Sequence, residues 1–152
     1  MTRLAATALA LLLGLPAQAQ EVSQCDHRAH ADGIPEPWEA NTRSFANGEV
    51  RVALIDRIEP AAGAFYLLIL HPPRGVLGER RCSLVGFGSG MGYAALDFAA
   101  LTAGYDPARG LTLSLPGRLY LPEEGFTNSL IIHATVNQAT GQVTANHELG
   151  RE

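Results

Sequence analysis

Leu111-Thr112-Leu113-Ser114-Leu115 places leucine at every second position, and Ser129-Leu130-Ile131-Ile132-His133-Ala134-Thr135-Val136 repeats that period. In the second stretch Leu130, Ile132, Ala134 and Val136 share one side, with Ser129, His133 and Thr135 on the other. An extended chain turns successive side chains to opposite faces, so both stretches predict strands with one buried face. The same period runs from Val50 to Ile58, where Val50, Val52, Leu54 and Ile58 share a face that Asp56 interrupts, with Arg51 and Arg57 opposite. Phe65 to Leu70 is apolar on both faces and predicts a central strand. With Arg81 to Phe87, the stretch around Leu101 to Tyr105, and Gln142 to Asn146, the chain predicts about seven short strands.

Turn chemistry separates these strands. Pro60-Ala61-Ala62-Gly63, Pro107-Ala108-Arg109-Gly110 and Pro122-Glu123-Glu124-Gly125 each set a proline near the start and a glycine at the close, and Asn137 to Gly141 serves the same end without proline. The fold expected is therefore all-β, an antiparallel β-sandwich or small barrel whose strands are joined mainly by tight hairpins. One short helix is an alternative over 93–103, where Leu96, Ala100 and Ala103 fall at helical spacing before Gly104. Residues 20–48 show no sustained period and predict an irregular N-terminal arm, with Trp38 and Phe45 as anchors, ahead of a single β domain over 49–152.

The first nineteen residues read as an address rather than as fold. Arg3 precedes the apolar run Leu4 to Leu15, and Ala17-Gln18-Ala19 has the small-x-small pattern of a cleavage site, so a secretory signal peptide cleaved near Ala19 is expected. The run is shorter than the roughly 20 apolar residues of a spanning helix. Cys25 lies well past it, behind Gln20, Glu21, Ser23 and Gln24, so neither a membrane span nor a lipid anchor is expected. The mature chain is then periplasmic or secreted, in a compartment where Cys25 and Cys82 would pair. That bond closes a loop of more than fifty residues, worth about 4 kcal/mol in loop-closure entropy. Removing residues 1–19 takes away Arg3 and leaves 10 basic against 15 acidic residues. This balance argues against nucleic acid and anionic membranes as partners, since both need clustered positive charge.

Three places carry side chains suited to chemistry. Cys25-Asp26-His27-Arg28-Ala29-His30-Ala31-Asp32 offers His27, His30, Asp26 and Asp32 as ligands, and imidazole with carboxylate suits Zn or Cu, so a metal-binding protein is one alternative to a chain without cofactor. Gly86-Phe87-Gly88-Ser89-Gly90-Met91-Gly92-Tyr93 fits neither dinucleotide nor P-loop spacing. If extended, it would set its glycines on one face and Phe87, Ser89, Met91 and Tyr93 on the other, a bare groove floor, whereas the plainer expectation is close packing or a bulged bend. The histidines His71, His133 and His147 show no hydrolase arrangement, His133 sits at a solvated strand position, and His147 falls in an end expected to fray. Glu123-Glu124 sits on a turn tip, where adjacent acids face solvent.

Within the glycine-rich segment, Ser89-Gly90-Met91-Gly92-Tyr93 is similar to the Ser-Gly-x-x-Tyr motif of bacterial periplasmic and membrane-bound lysozyme inhibitors, small exported all-β proteins that often carry a disulfide. In that family the motif lies on a loop inserted into the lysozyme active-site cleft, so the resemblance implies that Ser89 and Tyr93 touch a partner. It covers five residues, and the companion tyrosine followed by Thr-Lys-Gly has no counterpart in a chain without lysine.

The loops are short turns spent on hairpins, which points to a non-enzymatic binding or interaction module whose partner is an unidentified protein or envelope component. The disulfide would bring the arm close to the glycine-rich segment, making Trp38, Ser89, Met91 and Tyr93 the candidate contact residues. Expressed with its own leader and recovered from a bacterial periplasm, the protein is expected to have a mass that begins at Gln20 and rises by two hydrogens on reduction. An uncleaved chain would sink the export reading.

Overall fold

The structure is a computed structural model that describes residues 21–88 and 90–150. The expected leader, its cleavage position near Ala19, and Ser89 lie outside the described residues. Among the described residues, ten strands form two antiparallel sheets: β1 (Glu21–Gln24), β2 (Thr42–Phe45), β3 (Val50–Asp56), β4 (Phe65–His71), β5 (Arg81–Gly86), β6 (Ala95–Leu96), β7 (Thr102–Asp106), β8 (Gly110–Leu121), β9 (Phe126–Asn137) and β10 (Gln142–Leu149). The first sheet runs β1-β5-β4-β3-β2, and the second runs β10-β9-β8, with β6 and β7 pairing in turn along the free edge of β8. The antiparallel all-β fold expected from the period is what the chain adopts, and of the sandwich and small-barrel alternatives its two sheets make it sandwich-like.

Burial follows the alternation strand by strand. Leu111, Leu113 and Leu115 of β8 face Val52, Leu67 and Ile69 of the first sheet within one apolar cluster, joined by Ile132, Ala134 and Val136 of β9. Leu115, Ile132, Leu67 and Ile69 are fully buried, and each such side chain contributes roughly 1.5–3 kcal/mol through lost water contact. The predicted central strand is central: β4 is third of five, and both its faces are buried. Its inner face enters the sandwich core. Its outer face, with Tyr66 and Leu68, joins Ala53, Ile55 and Leu84 in a second cluster, on which Cys25, Ala29, Ile34 and Cys82 pack.

The arm is therefore not an irregular appendage ahead of a domain that starts at residue 49. Its ends form β1 and β2, the two edge strands of the first sheet, and its middle covers that sheet's outer face. Cys25 and Cys82 are disulfide-bonded across a separation of 57 residues. The expected seven strands are present, and the three additional ones, β1, β2 and β6, are two to four residues long, too short to show a period.

Two local readings change. The stretch over 93–103 is neither one helix nor one strand. β6 gives way to a 3-10 turn at Phe98–Ala100, whose Ala100 N–H donates to the Asp97 carboxylate, and then β7 begins. Leu96, Phe98 and Leu101 all reach the core, and the long edge of β8 takes backbone partners on both sides of the turn, which outweighs the helical propensity of the alanines. Ile58 leaves the buried face because β3 ends at Asp56, whose carboxylate accepts the Ile58 N–H at 2.7 Å and turns the chain outward.

Both sides of the sandwich are closed. β1 lies beside β10, and on the other side α1 (Trp38–Asn41) lies beside the Phe98–Ala100 turn. There the Arg43 guanidinium donates to the carbonyls of Leu101 and Ala99 and lies 5.6 Å over the Phe98 ring. Because the disulfide holds the cover of the first sheet, replacing Cys25 and Cys82 together by Ala is expected to cost roughly 2–4 kcal/mol of unfolding free energy. Urea unfolding of the reduced wild type should show the same loss, and an unchanged midpoint on reduction would refute that role for the bond.

Candidate functional site

The two segments singled out by sequence do meet, and Arg28 joins them. Asp26 caps the 3-10 turn His27–Ala29, and its carboxylate accepts from the Arg28 backbone N–H at 2.9 Å and from the Arg28 guanidinium at 2.8, 3.0 and 3.1 Å. Held this way, the guanidinium lies 5.5 Å over the Tyr66 ring and donates to the Gly90 carbonyl at 2.8 Å. The Tyr66 hydroxyl donates to the same carbonyl at 2.9 Å. The hydrogen bonds from the Arg28 guanidinium and then from its backbone amide hold the Asp26 carboxyl down at about 2, below its ordinary 3.8.

This use of Asp26 takes apart the ligand set proposed for Zn or Cu. Asp32 pairs with Arg57 at 3.2 Å, Cys25 is bonded to Cys82, and His27 and His30 are exposed. Among the described residues no three His, Cys, Asp or Glu side chains gather in a position to hold a metal ion. The segment is a latch that fastens the arm to the glycine-rich loop.

The glycine-rich segment is not an extended groove floor either. Phe87 and Met91 face each other across a tight turn, with the Phe87 N–H donating to the Met91 carbonyl at 2.7 Å. Close packing explains the glycines: a Cβ on Gly92 would lie 2.4 Å from the Phe65 carbonyl oxygen, and one on Gly86 would lie 2.7 Å from that of Met91. Tyr93 fills the space beneath, fully buried, its hydroxyl donating to the Gly86 carbonyl at 3.2 Å. It belongs to the core, so the contacting role implied for it by the lysozyme-inhibitor resemblance does not carry over. Met91 and Trp38 are exposed, but they belong to different neighbourhoods, Met91 beside Gly63 and Trp38 on α1 beside the Phe98–Ala100 turn.

A surface that drew no attention in the sequence is better formed. The outer face of the second sheet is uncovered and concave, enclosing about 520 Å³ above Gly104 and Thr102 of β7, Thr112 and Ser114 of β8, His133 and Thr135 of β9, and Thr144 and Asn146 of β10. Register sets these side chains in rows: Thr112 is opposite Thr135, which is opposite Thr144, and Ser114 is opposite His133, which is opposite Asn146. His133 lies 3.8 Å from Glu148 at the rim. The signal for this face was present as the polar half of each alternating strand, which reads as a solvated face until the strands are aligned.

The other histidines have packing roles. His71 is buried, with Nδ1–H donating to the Pro72 carbonyl at 2.8 Å, so that Nε2 accepts from the Ser83 hydroxyl at 2.9 Å. His147 does not fray: it lies within β10 beside the Phe87 ring, 5.8 Å between centroids, and burial pushes its imidazole pKa below the ordinary value. Glu123 and Glu124 are exposed at the β8–β9 turn. Comparison with known proteins gives no match to a family model, a curated protein or a solved structure.

A carboxyl whose pKa is lower in the folded than in the unfolded chain adds stability above its unfolded value, and that stability is lost as pH falls through the folded value. Asp26→Asn is thus expected to lower the thermal midpoint at neutral pH, and its gap from wild type should close as pH falls from about 4 to about 2. Thermal unfolding across that range checks this. A gap independent of pH would mean that the Asp26 charge does not hold the latch.

Proposed function

We propose that this chain is an exported, non-enzymatic binding module whose recognition surface is the open outer face of the second sheet. The observation that carries the reading is the asymmetry of the sandwich. The outer face of the first sheet is apolar and covered by the arm, while that of the second is bare, concave and lined by hydroxyl and amide side chains. A bonded cysteine pair is what an oxidising compartment maintains, which supports export. Among the described residues no helix is long and apolar enough to cross a membrane.

The chemistry of the face selects a class of ligand. Thr112, Ser114, Thr135 and Thr144 each carry a hydroxyl that both donates and accepts, and Asn146 adds an amide that does the same. They repeat at about 4.8 Å across the strands and about 6.7 Å along them. At the rim the Arg109 guanidinium is paired with Asp106 at 3.0 Å, and Glu148 lies beside His133. A grid of neutral two-way hydrogen-bonding groups suits an extended, uncharged, hydroxyl-rich ligand such as a glycan strand, and it suits neither a polyanion nor a lipid chain.

Calorimetric titration with a panel of soluble oligosaccharides, including fragments of cell-wall glycan, tests the reading. Thr135 stands in the middle row between Thr112 and Thr144, so Thr135→Arg should fill the groove and weaken binding at least about tenfold, a loss of about 1.4 kcal/mol. Substitution of Met91 should change nothing. If no member of the panel binds, or if Thr135→Arg binds as well as wild type, the open face is not the recognition surface.

A further inference from the structure

The connection between β4 and β5 ends in a tight turn in which the Gly78 N–H donates to the Gly75 carbonyl at 3.0 Å and the Gly75 N–H to the Glu79 carbonyl at 2.9 Å. Gly78 sits at φ +85°, which closes the turn. The two central positions, where Pro, Asn, Asp and Gly are the usual occupants, hold Val76 and Leu77, and these are 100% and 91% exposed. Exposure on that scale gives the fold no burial energy. Nor is the loop slack. The Leu77 N–H donates to the Glu79 carboxylate at 3.1 Å, the Arg74 guanidinium donates to the Gly78 carbonyl and to the Glu49 carboxylate, and the Arg80 guanidinium donates to the Gly48 carbonyl. Two aliphatic side chains are held out on a braced apex.

Charge surrounds that apex. Arg51, Arg74 and Arg80 all act on the Glu49 carboxylate, and Arg81 follows Arg80 at an exposed position. Four arginines against Glu49 and Glu79 leave a local excess of two positive charges on a chain whose formal net charge is −4. The overall balance argued against an anionic surface, but it averages over basic residues that folding gathers at one end of the first sheet.

We infer that Val76 and Leu77 insert into the interface of a lipid bilayer carrying anionic headgroups, with Arg51, Arg74, Arg80 and Arg81 as the collar at headgroup level. Shape and area favour a bilayer over a protein partner. A standard protein interface buries about 800 Å² on each side around an apolar centre, whereas two side chains ringed by charge supply no such area. A fluid bilayer closes round a convex apex, takes the aliphatic groups into its acyl boundary and leaves the guanidiniums among phosphates.

The test is co-sedimentation of the oxidised, leader-free protein with vesicles of phosphatidylcholine, with and without phosphatidylglycerol. Binding is expected with phosphatidylglycerol, falling as salt is raised. Val76→Ser combined with Leu77→Ser, which leaves charge unchanged, should reduce the partition coefficient at least about tenfold, with an unaltered thermal midpoint because both side chains are exposed. Arg81→Gln should reduce it roughly fivefold. Leu77→Trp in a Trp38→Phe background should give an indole emission that shifts to the blue on binding and is quenched by brominated acyl chains. Failure of the wild type to sediment with the anionic vesicles, equal binding by the serine pair, unquenched emission from the Leu77→Trp variant, or capture of the apex by a soluble protein without lipid binding would each overturn the inference. Equal binding to pure phosphatidylcholine would remove the arginine collar from it.

Discussion

Ala53, Ile55, Tyr66, Leu68 and Leu84 make the outer side of the first sheet apolar, although its inner side already supplies half of the sandwich core. An antiparallel sheet facing water on one side would carry polar residues there, so this sheet must be covered twice. The arm provides the second cover, and much of the local structure serves to keep it in place. β1 and β2 fasten its two ends as edge strands, the disulfide ties Cys25 to β5, and Arg28 links it to the glycine-rich loop. Backbone pairing, a covalent bond and a charge-assisted hydrogen bond thus hold one short segment, because its own apolar residues, Ala29 and Ile34, are too few to hold it by burial alone.

That division of labour explains which parts of the structure were legible in the sequence. Strands with one face on the core carry period two and announced themselves, as in Leu111 to Leu115 and Leu130 to Val136, and Phe65 to Leu70 betrayed its central place by being apolar on both sides. β1 and β2 were hidden because an edge strand is fixed by backbone hydrogen bonds, to which side-chain pattern contributes little over four residues. The 93–103 stretch misled because alanine records helical propensity, while the unpaired edge of β8 decided the outcome. Ile58 shows the opposite weakness: apolar, at the right period, and expelled by an Asp56 carboxylate that bonds the backbone two residues on.

The candidate site was less legible, for a related reason. Residue types suited to chemistry are also suited to fastening: Asp26 chelates Arg28, His71 ties Pro72 to Ser83, and Tyr93 reaches the Gly86 carbonyl from the core. A cluster such as Cys25 to Asp32 looks like a ligand set only while its partners elsewhere in the chain are unknown. The hydroxyl-lined face has the reverse character. Each of its threonines is ordinary where it stands, and only the register that sets Thr112, Thr135 and Thr144 side by side makes them a surface.

The braced apex and the open face also bear a fixed relation to one another. The β9–β10 turn backs onto the apex loop, since a Cβ on Gly141 would lie 2.6 Å from the Pro73 ring and 2.9 Å from the Arg81 guanidinium. Strand β10 starts at Gln142, next to this junction, and carries Thr144, Asn146 and Glu148 progressively away from it, while β9 descends toward it past His133 and Thr135. The two surfaces share no residue and differ in chemistry, two exposed aliphatic side chains at the apex against hydroxyl and amide groups on the sheet.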